Sequence, residues 1–402
     1  MDIKQVATLM NGITTEILGE GAVVNEDLSN VVNEDLSNVV DIGKAIFDNT
    51  SYDHYVKTLV DHIGRMIFVD RKYTGGMASL YRDSWEYGAV MEKVYGLKLP
   101  NAVENETWEL TDGASYDPNI FTKPEVAAKF FDKKTTFEVD LSIADKQAKS
   151  AFSSAQQLNA FVSMLTTDVD KSLTVKQEGL AQRTVNNLII QTIQAEFPTV
   201  SDNDYSAKTG VKAVNLLKLY NDQFNPSPAL TAANCLYSAE FIRFATLVIT
   251  KTMARLKKIS SLFNVGGIPR FTPSDKQHLI LLSDFKAASD VYLQSDTFHN
   301  TLVQLPMAED VPYWQGSGTA YDLTSISTVH AEIDLGNGST KEINMSGVLG
   351  VAFDHDAAGI TNLDKRVTSN YNAKAEFTNY FYKVDCGYFN DLNENAVVFF
   401  VQ

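Results

Sequence analysis

Cysteine is almost missing from this sequence. Cys235 and Cys386 stand far apart and form no Cys-x-x-Cys pair. That excludes a disulfide scaffold and a thiolate zinc site, and it suits a reducing compartment. Long apolar runs are missing too: none reaches the ~18–20 residues that span a bilayer. The opening MDIKQVATLM has no basic stretch leading into an apolar one, so no secretory signal is expected and the chain is placed in the cytoplasm that makes it. Basic charge is short, with 34 Lys and Arg against 50 Asp and Glu and a net charge of −16. Nucleic-acid affinity comes mostly from cations neutralising phosphates, so a tight nucleic-acid binder is disfavoured.

The motifs of catalysis are absent as well. There is no GxSxG elbow, no P-loop and no HExxH helix. QGSGTA (Gln315 to Ala320) lacks the third glycine of a dinucleotide cradle and reads as a loop. His54 and His62 are eight residues apart, not the four that set a zinc pair on one helix face. Asp354–His355–Asp356 is the one tight Asp/His cluster. Neighbours on a strand point to opposite sides, so it reads as a surface turn rather than a metal site. The residues predict no catalytic group, no cofactor and no metal.

What is present is an ordinary globular composition, 44% hydrophobic and 21% charged over 402 residues. That is enough chain for two or three domains with a real core. The first fifty residues stand apart. They hold nine acidic side chains against Lys4 and Lys44, a local charge of −7, and read as an arm outside the core. Within it, VVNEDLSN occurs twice in succession, Val23–Asn30 and Val31–Asn38. Inside a helix an extra octet would rotate everything upstream by about 80°. In an extended strand eight is an even number, so the faces are kept and at most ~27 Å of reach is added. An extended strap is therefore predicted, with Leu36 of the second copy and Val39 and Val40 just after it as its contact residues, because that copy keeps its spacing to the next element.

That element is an amphipathic helix from Ser51 to Val69. After TGGM (Thr74 to Met77) the period becomes two: Trp85, Tyr87, Ala89, Met91, Lys93, Tyr95, Leu97 and Leu99 alternate with Glu86, Glu92 and Lys98. A second alternating run carries Phe137, Val139, Leu141 and Ile143. The two runs are read as one extended β-hairpin with an elaborate polar tip between them. A lone hairpin is marginal in water, so it needs a surface to cover it. Trp85, Tyr87 and Trp108 are either packing residues or anchors in a neighbour's groove.

Ser153 to Phe197 is helical, with a spine of about 40 Å from Lys171 to Phe197 that Pro198 stops. Further helices are predicted over Tyr205–Phe224 and, capped by Ser238, through Lys258. The basic run Arg255, Lys257 and Lys258 either complements that helix's dipole or meets an acidic partner. The last third is strand-rich: HLILLSDF (His278 to Phe285), a hairpin around GNGS, and AVVFFV (Ala396 to Val401). Segregated helices and strands make the class α+β.

EDLSNVVDIG (Glu34 to Gly43), ENETWELTDGASYDPN (Glu104 to Asn119), KFFDKKTTFEVDLSI (Lys129 to Ile143), GVLGVAFDHDAAGI (Gly347 to Ile360) and TNYFYKVDCGYFNDLNENAVVFFV (Thr378 to Val401), in this order, resemble the major capsid proteins of tailed phages, of the Hong Kong ninety-seven fold. They are most similar to the short-tailed phi-twenty-nine-like group. The resemblance implies a non-enzymatic shell protein of the virion with an N-terminal arm at 1–48, an E-loop at 72–135, a P-domain at 49–71, 136–199 and 373–402, and an A-domain at 200–372. It implies pentamers and hexamers of the chain itself, with a scaffolding protein, a portal and head-fibre or decoration proteins as further partners. The shell would enclose double-stranded DNA without reading its sequence, and no membrane is involved. A nanocompartment shell of the same fold and a soluble enzyme with an unrecognised site are the alternatives.

Overall fold

The computed structural model describes residues 23–25, 28–29, 76–82, 91–105, 107–119, 121–144, 155–200, 203–293, 308–314, 328–334 and 340–402. The predicted helix from Ser51 to Val69 and the Gln315–Ala320 loop lie outside them. The backbone forms two compact units. One comprises Met1–Tyr73, Val139–Lys171 and Val367–Tyr382; the other comprises Thr74–Glu138, Ser172–Arg366 and Lys383–Gln402.

In the first unit, β1 (Val23–Asn25) and β2 (Leu28–Ser29) pair antiparallel, with Val23 opposite Ser29 and Asn25 opposite Leu28. The first VVNEDLSN copy therefore turns back on itself. This corrects the extended strap for that copy: its strands are extended, but the chain reverses between them, and the added reach is largely cancelled.

The second unit is organised by a five-stranded sheet. Along the chain the strands needed are β3 (Tyr81–Arg82), β4 (Met91–Gly96), β5 (Val126–Phe131), β6 (Lys134–Ala144), β7 (Ala213–Asn215), β8 (Gln277–Leu282), β9 (Glu309–Val311), β10 (Val329–Asp334), β11 (Thr340–Met345), β12 (Val348–Asp354), β13 (Ala358–Asn372), β14 (Phe377–Asn390) and β15 (Ala396–Phe400). The central sheet runs β7-β15-β12-β8-β9. Its middle strands, VLGVAFD and AVVFF, are buried at every position, as expected of unbroken apolar runs covered on both faces. A register shift between Val348 and Gly350 changes the side-chain parity of β12. That is why Leu349 and Ala352 reach the same core cluster.

Among the described residues there are four α-helices: α1 (Ala155–Glu196), which runs from the first unit into the second, and α2 (Leu216–Phe224), α3 (Ala239–Leu256) and α4 (Ser283–Leu293) of the second. The apolar stripe Phe241, Ile242, Ala245, Ile249, Met253 and Leu256 of α3 joins Leu279, Leu281, Val397 and Phe399 from one sheet face. Ser238 caps α3, accepting from the Phe241 amide at 3.3 Å. α1 holds 42 residues, about 63 Å at 1.5 Å per residue, half again longer than the predicted spine. From Leu180 to Ile193 nearly every side chain is buried, the mark of a helix enclosed on all sides. Truncating Leu188 to Ala there costs about 2–5 kcal/mol. Its buried threonines, Thr184 and Thr192, donate to the carbonyls four residues back, Leu180 and Leu188.

Several expectations need correction. The helix predicted from Tyr205 begins only at Leu216. Asn215 is extended, ends β7, and its side chain caps the helix through the Lys218 amide. HLILLSDF is not all strand: β8 stops at Leu282, and Ser283 opens α4. The run Phe137–Ile143 is a strand, but it does not pair with Met91–Gly96, the described strand of the run from Trp85. It enters a separate sheet, β3-β13-β14-β6. In the second unit Thr136 donates to Asp385 (2.6 Å) and Lys383 pairs with Glu138 (3.1 Å). In the first unit Ser142 donates to Asn379 (2.5 Å). The GNGS hairpin is seen in its flanks, since β10 and β11 pair in continuous register from Val329–Met345 to Asp334–Thr340. Its tip lies outside the described residues.

Candidate assembly surface

The hairpin that does form is β4 with β5, in register from Met91–Phe131 to Gly96–Val126. Alternation sorts its side chains onto two faces. The inner face carries Met91, Lys93 and Tyr95 opposite Phe131, Lys129 and Ala127, all partly or fully buried. The outer face carries Val94 (65% exposed), Val126 (63%) and Phe130 (62%), with Ala128 and only Glu92 as a charge. Between the strands, residues 97–125 form the tip. There Trp108 (95%) and Phe121 (84%) stand almost wholly in water, and Leu99, Val103 and Leu110 are exposed as well. Singly exposed apolar residues are normal, but a contiguous apolar patch marks a contact surface.

The inner face is held by a buried charge. Lys93 and Lys129 sit directly opposite each other, where like charges repel. The fully buried Asp391 carboxylate lies between them, 2.7 Å from Lys93 Nζ and 3.2 Å from Lys129 Nζ. Glu394 takes a second contact from Lys93 at 2.9 Å and faces Arg270 at 3.6 Å. Tyr95 accepts from the Asn393 amide at 2.6 Å and lies under the Arg270 guanidinium. Phe131 packs on Phe389, ring centroids 5.4 Å apart. Burial alone would raise the Asp391 pKa, but the hydrogen bond and charge of Lys93, the backbone N–H of Asn393 and the Lys129 charge bring it below the usual carboxylate value.

A second polar joint holds the segment before the ribbon. Ser79 donates twice to Glu309, through its amide (2.9 Å) and hydroxyl (2.7 Å). Arg82 donates to the carbonyls of Ser79, His355 and Ala358. His355 Nδ1 and His278 Nε2 are 2.9 Å apart. Burial first, then the neighbouring Arg82 charge and, for His278, the His355 ring, lower both imidazole pKa values. The Asp354–His355–Asp356 turn follows β12 as expected, yet it is no simple surface turn: Asp354 is buried and His355 half-buried in this joint. Among the described residues no group of three or more His, Cys, Asp or Glu could hold a metal ion. Cys235 and Cys386 are both buried, which pushes each thiol up to about 11.

Of the residues singled out in the sequence, Trp108 lies at the exposed tip. Arg255, Lys257 and Lys258 are exposed at the end of α3, away from any described carboxylate in ion-pair range. Trp85, Tyr87, Leu36, Val39 and Val40 fall outside the described residues. The structure adds Lys93, Lys129, Asp391 and Glu394. Their one visible signal was Lys93, a charge standing in the otherwise apolar row of its strand.

A family model for the Phi29-like phage major capsid protein matches residues 10–400, nearly the whole chain. The chain belongs to this capsid protein family. The major capsid protein of Bacillus phage GA-1 is 22% identical over 225 residues, which are 51% of this chain and 45% of that relative. The match to this curated capsid protein thus spans about half of each. The capsid structure of Staphylococcus phage Andhra superposes with a TM-score of 0.52 at 9% identity, over 84% of this chain and 87% of that one. At that identity the likeness is one of fold, and it is the mixed helix-and-sheet fold of a phage capsid protein. No helix among the described residues is long and apolar enough to cross a membrane.

Proposed function

We propose that copies of this chain assemble into pentamers and hexamers and close the head shell around a double-stranded DNA genome, as a structural and not a catalytic protein. The observation that carries this reading is the ribbon. One face is fastened to the body by buried charge, while the other face and the tip hold Val94, Val126, Phe130, Trp108 and Phe121 in water. Burying a large apolar side chain is worth about 1.5–3 kcal/mol, and no described residue of the same chain buries these. In this reading 72–135 is the E-loop, 1–48 the arm, 49–71, 136–199 and 373–402 the P-domain, and 200–372 the A-domain. A net charge of −16 suits a wall that must release its DNA, because an acidic lining repels phosphates. Scaffolding, portal and head-fibre or decoration proteins would be its further partners.

The test is assembly of the purified chain, followed by sedimentation and negative-stain microscopy. Wild type is expected to form closed particles. Trp108→Ala with Phe121→Ala should leave the folded chain within about 0.5 kcal/mol of wild type, as exposed substitutions do, and abolish particles. A stable monomer at high concentration, or normal particles from the double variant, would refute the reading.

A further inference from the structure

From Phe241 to Ser274 this acidic chain contains no carboxylate at all, but six cations: Arg243, Lys251, Arg255, Lys257, Lys258 and Arg270. Arg270 is engaged with Glu394 and Tyr95. The other five are exposed. Four of them, Arg243, Lys251, Arg255 and Lys258, recur at helical spacing down the outer side of α3 and its end, with exposed Leu247 among them. The chain then doubles back: Ser260 and Arg270 exchange both backbone hydrogen bonds. Flanking this bridge, the Ile259 and Phe271 side chains are exposed, as is that of Leu262. The surface is thus a row of positive charge ending in an apolar knuckle.

We propose that the acidic N-terminal segment of a neighbouring copy docks along this stripe, its carboxylates on the α3 cations and its Val and Leu side chains on Ile259, Leu262 and Phe271. The inference rests on the shell reading, which brings copies together. Charge complementarity selects the occupant. Residues 1–50 carry −7, and their repeated octet sets a Glu–Asp pair between Val–Val and Leu, the same mixture of charge and apolar surface in opposite sign. A duplex backbone would satisfy the cations but leave the apolar knuckle in water. Every copy brings its own segment, so in an assembled particle the local concentration is high and weak contacts suffice.

The two natural cysteines are buried, so Ser37→Cys with Leu262→Cys introduces the exposed thiols. Oxidised particles should give a ladder of covalent multimers on non-reducing gels. Monomer alone, or a link within one chain, would overturn the proposal. Lys257→Glu with Lys258→Glu should raise the protein concentration needed for assembly about tenfold, from a few exposed pairs of up to ~1 kcal/mol each. Reversing Glu26, Asp27, Glu34 and Asp35 to Lys in the same chain should restore it. No recovery, or unchanged assembly with only less DNA retained, would assign the stripe elsewhere and overturn the inference. Normal particles without the cross-link would sink this docking alone; a wild-type chain that never assembles would sink the shell reading with it.

Discussion

Asp391→Asn isolates the fastening of the ribbon. The substitution keeps the shape and one acceptor but removes the charge between Lys93 and Lys129. Those two ammonium groups then face each other across one rung of β4–β5, and the one carboxylate still beside Lys93 is Glu394, which it shares with Arg270. Removing one partner of a buried pair costs about 3–5 kcal/mol. Both lysines are partly exposed and can swing toward water, so screening reduces this to about 2–3 kcal/mol. The loss falls on the hold between ribbon and body, because the core sheet makes no use of Asp391. Hydrogen exchange resolved to residues 91–96 and 126–131 reads it directly: about 30- to 150-fold faster opening, with β12 and β15 unchanged.

Two controls sharpen it. Adding Lys93→Met and Lys129→Met to Asp391→Asn removes the repulsion and should recover most of the protection, since an apolar replacement of a buried ion pair is often neutral. Acid supplies the other. The folded Asp391 pKa is depressed, so its contribution is present above the unfolded value of about 4 and is lost as pH falls through the folded value. Ribbon protection in the wild type should therefore drop below pH about 4, with little further change in Asp391→Asn. Exchange that rises less than twofold in Asp391→Asn would refute the reasoning.

The histidine joint gives a second pH effect, higher on the scale. His278 and His355 have folded pKa values below the ordinary one, so the unfolded chain takes up protons first and stability falls as pH drops below about 6.5. The slope should shrink in His278→Gln; parallel pH curves of denaturation midpoint for the two proteins would contradict it. Gly350→Ala places a Cβ 2.5 Å from Leu281 Cδ2 and 2.7 Å from the Ile280 carbonyl. The cost should be about 1–3 kcal/mol, and an unchanged urea midpoint would show that β12 and β8 separate more easily than their register implies. Deleting Val23–Asn30 should leave particle formation intact by microscopy, whereas loss of particles only in that deletion, and not in one of Val31–Asn38, would make the first copy the working one.

Periodicity made parts of this fold legible. The buried runs AVVFF and VLGVAFD, the Ser238 cap and the enclosed helix after Leu173 all announce themselves through local patterns that the tertiary structure does not override. Partnership of strands was not legible. Phe137–Ile143 alternates as well as VAAKFF does, and alternation says which face is apolar but not which strand lies alongside. Tyr205–Phe224 read as helix because Val211, Val214 and Leu217 fall at helical steps. The core sheet needed an edge strand, and Asn215 made the switch. The ribbon's exposed anchors could be suspected from Trp108. Its fastening could not, because Lys93 and Asp391 are 298 residues apart and only folding joins them.

The self-pairing octet has a genetic corollary. Val23 and Ser29 lie across one rung, so the octet enters and leaves at nearly the same point, about 5 Å apart. A direct tandem repeat is what polymerase slippage on the gene produces. Each gain or loss of VVNEDLSN alters mass and adds or removes two negative charges, while a copy paired in this way adds little reach along the chain. A chain carrying one copy or three would thus present nearly the same reach at this point, differing chiefly in charge.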